Sequence, residues 1–575
     1  MARVIACFSS HLPSIYLDMI RFFRRRLISI LLIAFVVFSV ARVLANTTQE
    51  NLEPSEPPLV ITEEFKNIPH NPSTPRDGED IEQGRRGLKD GSARERILKN
   101  KREQFAEFAW KDFVALNWPV SCSGDDIYKD ISLLLDENNK PYNILIGQEP
   151  KASRAWELYP SPKDVFKENG AEPTPLTELP EVKKCLGDGS GSEIEYGQNL
   201  RLTETGELVG KEKIAEVRRA NEGKLLNSDG ELKEEISLQA IDDAINFPLV
   251  DQQGNYVINE IRMNPVEYNQ IKDNKWYEAK KLNELIESEK MFHLFCSNKA
   301  SKSSNHDAYC GENGYKDEGS IEIKAAWRVF DGRNSEQEKE KYYTTKRKII
   351  SQTGDVLNEQ AELGLIGFHI MHKTSEDGWV WSTFEHVDNA PLCSSGDKQE
   401  MKSYTLYSKN KCATQENCKE NYPYVEQPYV WNISNEGPKA VTIERIAVEE
   451  GRITAVKNQI PSQICRLYTI SKNIEKANNT WKQALKDVNN ESVWQYYQLI
   501  GVQWLRKPES AYNENLREIK IDDVNNNEKF TLENMAMEPY IQGVSCIVCH
   551  TSAHLKDDNK ATIKADFSFL MDNAK

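Results

Sequence analysis

Apolar positions along this chain of 575 residues change their spacing several times. Leu27 to Ala41 is an apolar run of 15 that follows the basic stretch "RFFRRR". Residues 46–92 keep no apolar period and are rich in Pro, Glu, Asp and Gly, a composition that buries too little surface to fold. From Ala93 the spacing turns helical: Phe105, Phe108 and Phe113, with Trp110 and Leu116 beside them, recur along one face and stop at "NWP". One long amphipathic helix is predicted there.

The middle of the chain alternates short strand-like runs with polar loops. "FPLVDQQGNYVINEIRM" predicts a hairpin or bent strand pair around Gly254, and "SIEIKAAWRVF" a strand. In "LGLIGFHIMHKTSEDGWVWSTFEHVDNAP" two apolar runs flank a turn at "TSEDG", which predicts an antiparallel hairpin. Further on, Trp481, Leu485 and Val488, then Trp494, Tyr497 and Leu499, predict one or two helices. "FTLENMAMEPYIQGVSCIVCHTSA" reads as a helix, a Gly turn and a cysteine-bearing turn, and "ADFSFLMDNA" as a short closing helix. The expected class is α+β, with central antiparallel strands and helices at both ends of one large mixed domain, and a final segment packed on it. The expected divisions are a leader at 1–45, a flexible acidic, Pro-rich stretch at 46–92, the large domain at 93–526 and the final segment at 527–575.

The first division is predicted to be a secretory signal. Its apolar run is shorter than a membrane span, and Val43 and Ala45 stand at positions −3 and −1 of a cleavage site after Ala45. No stable membrane span is expected after cleavage, and the destination is the periplasm or another exported location. The full chain carries a formal net charge of −16, and the signal removes six arginines and one aspartate, so the mature protein is more acidic still. That charge argues against nucleic acid and anionic lipid as partners and suits docking to a basic redox partner. The Gly-rich "GDGSGSEIEYG" lacks the lysine and following helix of a phosphate loop, so no nucleotide site is expected.

Export bears on "VSCIVCHTSAH", where Cys546, Cys549 and His550 stand in C-x-x-C-H spacing. Three chemistries use such a spacing: covalent haem attachment with the adjacent imidazole on iron, a zinc site with His554 as fourth ligand, or a redox dithiol. The histidine directly after the second cysteine is what haem attachment demands and the others do not. One covalent haem c, bound by Cys546 and Cys549 with His550 as axial ligand, is therefore the favoured reading. The other cysteines outside the leader, Cys122, Cys185, Cys296, Cys310, Cys393, Cys412, Cys418 and Cys465, are even in number and suggest up to four disulfides. The long polar loop from Cys393 to Cys418 is expected to be pinned by its cysteines.

Only 25 residues follow His550, too few to wrap a haem, so its walls have to come from the larger domain. Candidates for the sixth iron ligand are His369, Met571, Met535 and Met537, each of which has an ordinary core role as its alternative. On the predicted hairpin His369 and Met371 share one face and His372 takes the other. With Lys373 opposite Trp379, His369 faces Thr383 and is a diagonal neighbour of Glu385. A His369 and Glu385 pair is thus expected, and His369, His372 and Glu385 are the candidates for an acid–base role, with His386 and His554 behind them. Hydrogen-bonded core histidines are the alternative to all of these.

Three segments together, "FAEFAWKDFVALNWP", "HIMHKTSEDGWVWSTFEHVDNAP" and "SCIVCHTSA" with "ADFSFL" after it, resemble a family of large exported bacterial mono-haem cytochrome c proteins. The resemblance spans most of the mature chain in the same order. It implies a periplasmic protein with one covalent haem c on Cys546 and Cys549 and His550 as axial ligand, and it supplies no substrate. Three functions stay open at this point. The leading one is electron transfer between periplasmic partners. The second is a haem-dependent oxidoreductase of the peroxidase or oxidase type with an open iron face. The third is a ligand-binding or sensor protein in which haem reports or stabilises.

Overall fold

The computed structural model of the chain describes residues 91–120, 152–185, 193–195, 249–288, 291–297, 306–350, 356–394, 404–409, 420–421, 429–431, 443–449, 452–456, 461–505, 532–543, 546–551, 553–556 and 562–575. The expected signal, most of the acidic leader, the Gly-rich segment before residue 193, Cys412 and Cys418, and the boundary near Asn527 lie outside the described residues.

A single long strand, β7 (Val356–Thr374), organises a nine-stranded sheet. Along one edge it pairs antiparallel with β5 (Ile321–Phe330), the strand expected at "SIEIKAAWRVF". The other edge is divided between β6 (Thr344–Ile350), which meets its first half, and β8 (Gly378–His386), which meets its second. The sheet continues outward through β2 (Ile258–Met263) on β5 and β12 (Tyr497–Trp504) on β8, both antiparallel. Short parallel additions are β1 (Glu193–Glu195) on β6, with β3 (Cys296–Ser297) and β4 (Tyr315–Lys316) at the far end of β7. A separate three-stranded antiparallel sheet is formed by β9 (Tyr429–Trp431), β10 (Ile443–Glu449) and β11 (Arg452–Val456). The class is mixed α+β.

Alternation along the β7–β8 hairpin sends neighbouring side chains to opposite faces. Phe368, Ile370, Val380 and Phe384 belong to one buried cluster, and Met371, Trp379 and Trp381 to another. The first face is covered by α1 (Gly91–Leu116), the helix predicted from its aromatic spacing, which also packs on α4 (Lys472–Val488). Phe113 stacks on Phe384 with ring centroids 4.2 Å apart, and Trp110 stacks on Trp481 at 5.9 Å. Each such ring pair adds about 0.5–1.5 kcal/mol beyond the area it buries. The second face is covered by α2 (Pro265–Asn274), α3 (Ala279–Glu287) and side chains from the 546–571 region. Asn264 caps α2 by accepting from the Glu267 N–H at 3.1 Å, with Pro265 at the first helical position where its missing N–H costs nothing.

Two local expectations are corrected. The stretch from Trp494 to Leu499 is not a second helix: a short turn at Val493–Tyr496 feeds β12, because its aromatic and branched side chains complete the edge of β8. "LENMAMEPYIQ" is a series of turns rather than a helix. Asn534 binds out of register to Thr383 Oγ1 at 3.0 Å and to the Phe384 carbonyl at 2.7 Å, and Pro539 denies the next turn a backbone donor. The strand pair expected around Gly254, whose φ is 89°, is present in short form: Val250 bridges Tyr256 antiparallel, the Asp251 N–H donates to the Asn255 carbonyl and the Val257 N–H to the Leu249 carbonyl, both at 2.8 Å, before the chain goes on to pair with β5.

Disulfides join Cys296 to Cys310 and Cys393 to Cys465, and Cys185 is also disulfide-bonded. Cys393 is therefore tied to a residue 72 positions on and not to a neighbour in its own loop.

Candidate functional site

The C-x-x-C-H motif occupies one helical turn, α5 (Cys546–His550), entered through Gly543 at a φ of 98° that only glycine adopts without strain. Ile547 is fully buried beneath it. Cys546 packs against the cluster holding Trp379, Trp381 and Met571, and Cys549 against the cluster holding Met535, Met537 and Tyr540. The turn thus bridges both cores. Cys546 and Cys549 are half-buried and belong to no disulfide.

His550 is oriented from behind. Its Nδ1–H donates to the Phe567 carbonyl at 2.7 Å, which fixes the tautomer and leaves the Nε2 lone pair for a ligand. Its ring lies 6.1 Å from Trp381 on β8 and 5.3 Å from Phe569. Burial pushes its pKa down to about 4, the Phe567 bond opposing and the charges of His369 and Lys324 reinforcing the shift. The imidazole is neutral at physiological pH, as ligation requires.

The Phe567 carbonyl is itself held in place. Asp566 and Phe567 both adopt left-handed backbone angles, φ 53° and 65°, which side chains other than glycine rarely take. What maintains them is Asp566: its carboxylate pairs with the Lys373 ammonium and accepts from the Leu294 N–H at 2.6 Å, while its carbonyl accepts from Trp379 Nε1 at 2.7 Å. Lys373 also donates to the Leu294 carbonyl at 2.8 Å. Two residues of the β7–β8 hairpin therefore set the group that orients His550.

On the same side of β7, His369 Nε2 meets both oxygens of Glu538, at 2.9 and 3.0 Å. Lys324, opposite His369 in the β5–β7 register, reaches the same carboxylate at 3.7 Å. Burial raises the Glu538 pKa, but His369 and Lys324 outweigh it and hold the carboxyl below its ordinary value.

The hairpin register matches the expectation, with Lys373 opposite Trp379 and His369 opposite Thr383. The expected His369 and Glu385 pair is not formed. Glu385 is committed to the buried Arg466 guanidinium and accepts from the Met535 N–H at 2.9 Å, so the carboxylate at His369 comes from Glu538 instead. No local pattern marks Glu538; only the folded segment 532–543 brings it there.

The remaining candidates disperse. His372 lies on the opposite face, its Nδ1 2.9 Å from Asp112 of α1, with Nε2 buried and unpartnered. His386 is a satisfied core histidine, stacked on Tyr342 at 3.8 Å and donating from Nε2 to the Lys341 carbonyl at 3.1 Å. Met535 and Met537 are buried in the α1-side cluster, whereas Met571 is buried in the cluster that includes Cys546. His554 is on β13 (His554–Lys556), which pairs with β14 (Thr562–Lys564).

These details bear on each of the three chemistries of the motif. Burial, reinforced by Glu538 and Glu533, raises the Cys546 thiol well above its ordinary pKa, the reverse of a reactive dithiol. Among the described residues the ligand atoms of Cys546, Cys549, His550 and His554 do not converge into a three-ligand metal cluster; the cluster that does, Cys393, Glu420 and Cys465, has its two sulfurs in a disulfide. A haem fits what is present: two thiols on one turn, a neutral Nε2, aromatic walls, and Trp381 Nε1, a buried donor beside His550 with no partner. Among the described residues no helix is long and apolar enough to cross a membrane. No protein-family model, curated protein or solved structure matches the chain.

Proposed function

We propose that the protein is an exported c-type cytochrome that carries one covalent haem in the 527–575 segment and relays single electrons between periplasmic partners. The observation that carries this reading is the motif itself: two thiols one turn apart, beside an imidazole whose Nδ1 is already committed to a backbone carbonyl. Elsewhere the described cysteines are disulfide-bonded, as suits an oxidising compartment, and these two are left as thiols.

Cys546 and Cys549 would hold the group as thioethers, and His550 Nε2 would ligate the iron. When bound, haem supplies a one-electron ferric/ferrous couple. The chain's own residues do the rest. Phe567 orients the imidazole, and its hydrogen bond raises the basicity of Nε2. Trp381, Phe567 and Met571 keep water from the buried side of the motif. The acidic surface suits a basic partner protein.

One observation favours a second reading, a haem-dependent oxidoreductase. His369 and Glu538 form a partly exposed imidazole–carboxylate pair close enough to His550 for their charges to act on it. With Nε2–H held by the carboxylate, the ring's other nitrogen, Nδ1, is where such a pair can take or give a proton.

Intact-mass analysis of the exported protein tests the first claim: the expected product is heavier than the polypeptide by one haem and loses that increment in Cys546→Ala. A polypeptide mass with zinc retained would overturn it. Optical spectra then divide the two readings, with slow or absent carbon monoxide binding to the reduced protein expected for the carrier and rapid binding for the enzyme.

A further inference from the structure

Glu267 on α2 and Glu322 on β5 face one another in the core, on the side of the sheet where the 546–571 region packs. Glu267 has no exposed surface and Glu322 keeps 8% of its own. Neither Glu267 oxygen meets an N–H or hydroxyl of another residue; its partner is the Glu322 carboxyl. A contact between two carboxyls is a hydrogen bond only when one of them carries a proton, so the pair stores a proton by construction.

The surroundings make the same demand. Asp566 adds a third buried carboxylate, and the one ammonium among them is Lys373, which Asp566 already takes. His293 faces Lys373 and Asp566 and is held neutral, its pKa driven to about 4 by burial and by Lys373. Lys324 lies two residues along the same strand face, bonded to Glu538. Glu318, on the loop before β5, is bonded to Asn264. Burial above all, with Glu322 and Asp566, holds the Glu267 carboxyl well above the carboxylate range. Burial likewise raises Glu322 to about 7.

This store is wired to the motif. Glu322 is hydrogen-bonded to Ser568, the residue after the one whose carbonyl holds His550 Nδ1. A charge on Glu322 therefore sits a short bonded path from the imidazole in a dry interior, where it is weakly screened.

Resting on the haem reading above, we propose that the Glu267–Glu322 pair is a proton-loading site that makes electron transfer by this protein proton-coupled. With haem bound, the group would accept the electron that a one-electron donor loses. One proton from solvent adds to a Glu322 carboxylate oxygen, and net charge is unchanged. Reoxidation returns both.

Potentiometric titration of the purified holoprotein from about pH 5 to about pH 9, after its mass has been shown to include haem, tests the coupling. The midpoint potential is expected to fall as pH rises through neutrality, by no more than about 59 mV per tenfold change in proton concentration. Glu322→Gln is expected to flatten that dependence, and Glu267→Gln, whose amide still donates to Glu322, to retain it. A flat wild-type curve, or an unchanged slope in Glu322→Gln, would overturn the proposal. Redox-difference infrared spectra of the unsubstituted protein provide the check that needs no variant: a protonated-carboxyl band should grow on reduction, and its absence is equally fatal. A mass without haem would instead sink the underlying reading; even then, a protonated-carboxyl band at neutral pH that Glu267→Gln removes would uphold the stored proton, and no such band would refute it.

Discussion

Lys373 and Asp566, 193 residues apart, form an ion pair with no solvent-exposed side-chain surface between them. A buried pair of this kind adds little net stability over an apolar substitute, but removing one partner strands the other charge in the core. Its value here is geometric, because it holds the left-handed turn that presents the Phe567 carbonyl to His550.

Asp566→Asn is expected to lower the unfolding free energy by about 3–5 kcal/mol, because Lys373 is left uncompensated. Lys373→Met combined with Asp566→Asn should recover a large part of that loss. Denaturant titrations at constant slope measure both. Additive effects of the two substitutions would count against coupling.

Gly367→Ala should loosen the segment that supplies Glu538. A methyl group there would come within 3.0 Å of Asn534 Oδ1 and 3.2 Å of Ala536 Cβ, and Asn534 is what fastens the segment to β8. Destabilisation of about 1–3 kcal/mol is expected. Faster amide exchange confined to residues 532–543 is the accompanying sign, and unchanged protection there would refute the mechanism.

The Glu538 carboxyl gives a pH dependence whose sign is fixed. Its folded pKa lies below the unfolded value near 4.5, so its contribution is fully present above that value and fades as pH falls through the folded pKa. Glu538→Gln should be the less stable protein at neutral pH and should converge with wild type in acid. Thermal melts across that interval would show parallel curves if the pairing with His369 carried no energy.

Loop-closure entropy ranks the two described disulfides. Cys393–Cys465 spans 72 residues and Cys296–Cys310 spans 14. They are expected to contribute about 4 and about 3 kcal/mol respectively. Paired Cys→Ser variants, compared by denaturant midpoint, test the order.

Where a side chain's surroundings are set by its own strand pair, the sequence is readable. The turn at "TSEDG" and the two-residue period place His369 opposite Thr383 and put His372 on the far face, where it lies. The aromatic spacing of α1 is equally plain. Long-range partners are not readable: Arg466 claims Glu385 and Glu538 reaches His369 from segments with no periodic signal, across 81 and 169 residues. Tyr497 and Leu499 look helical in sequence because aromatic clusters suit either period, and only the open edge of β8 decides.

During synthesis Lys373 leaves the ribosome well before Asp566 exists. At ordinary elongation rates the wait is about 10–40 s. Throughout it, the hairpin face bearing Trp379 and Trp381 lacks its acidic counter-ion and the part of its cover that comes from the 546–571 region. A chain ending short of Asp566 therefore keeps Lys373 without its counter-ion and leaves Trp379 and Trp381 short of the apolar neighbours that the last residues bring.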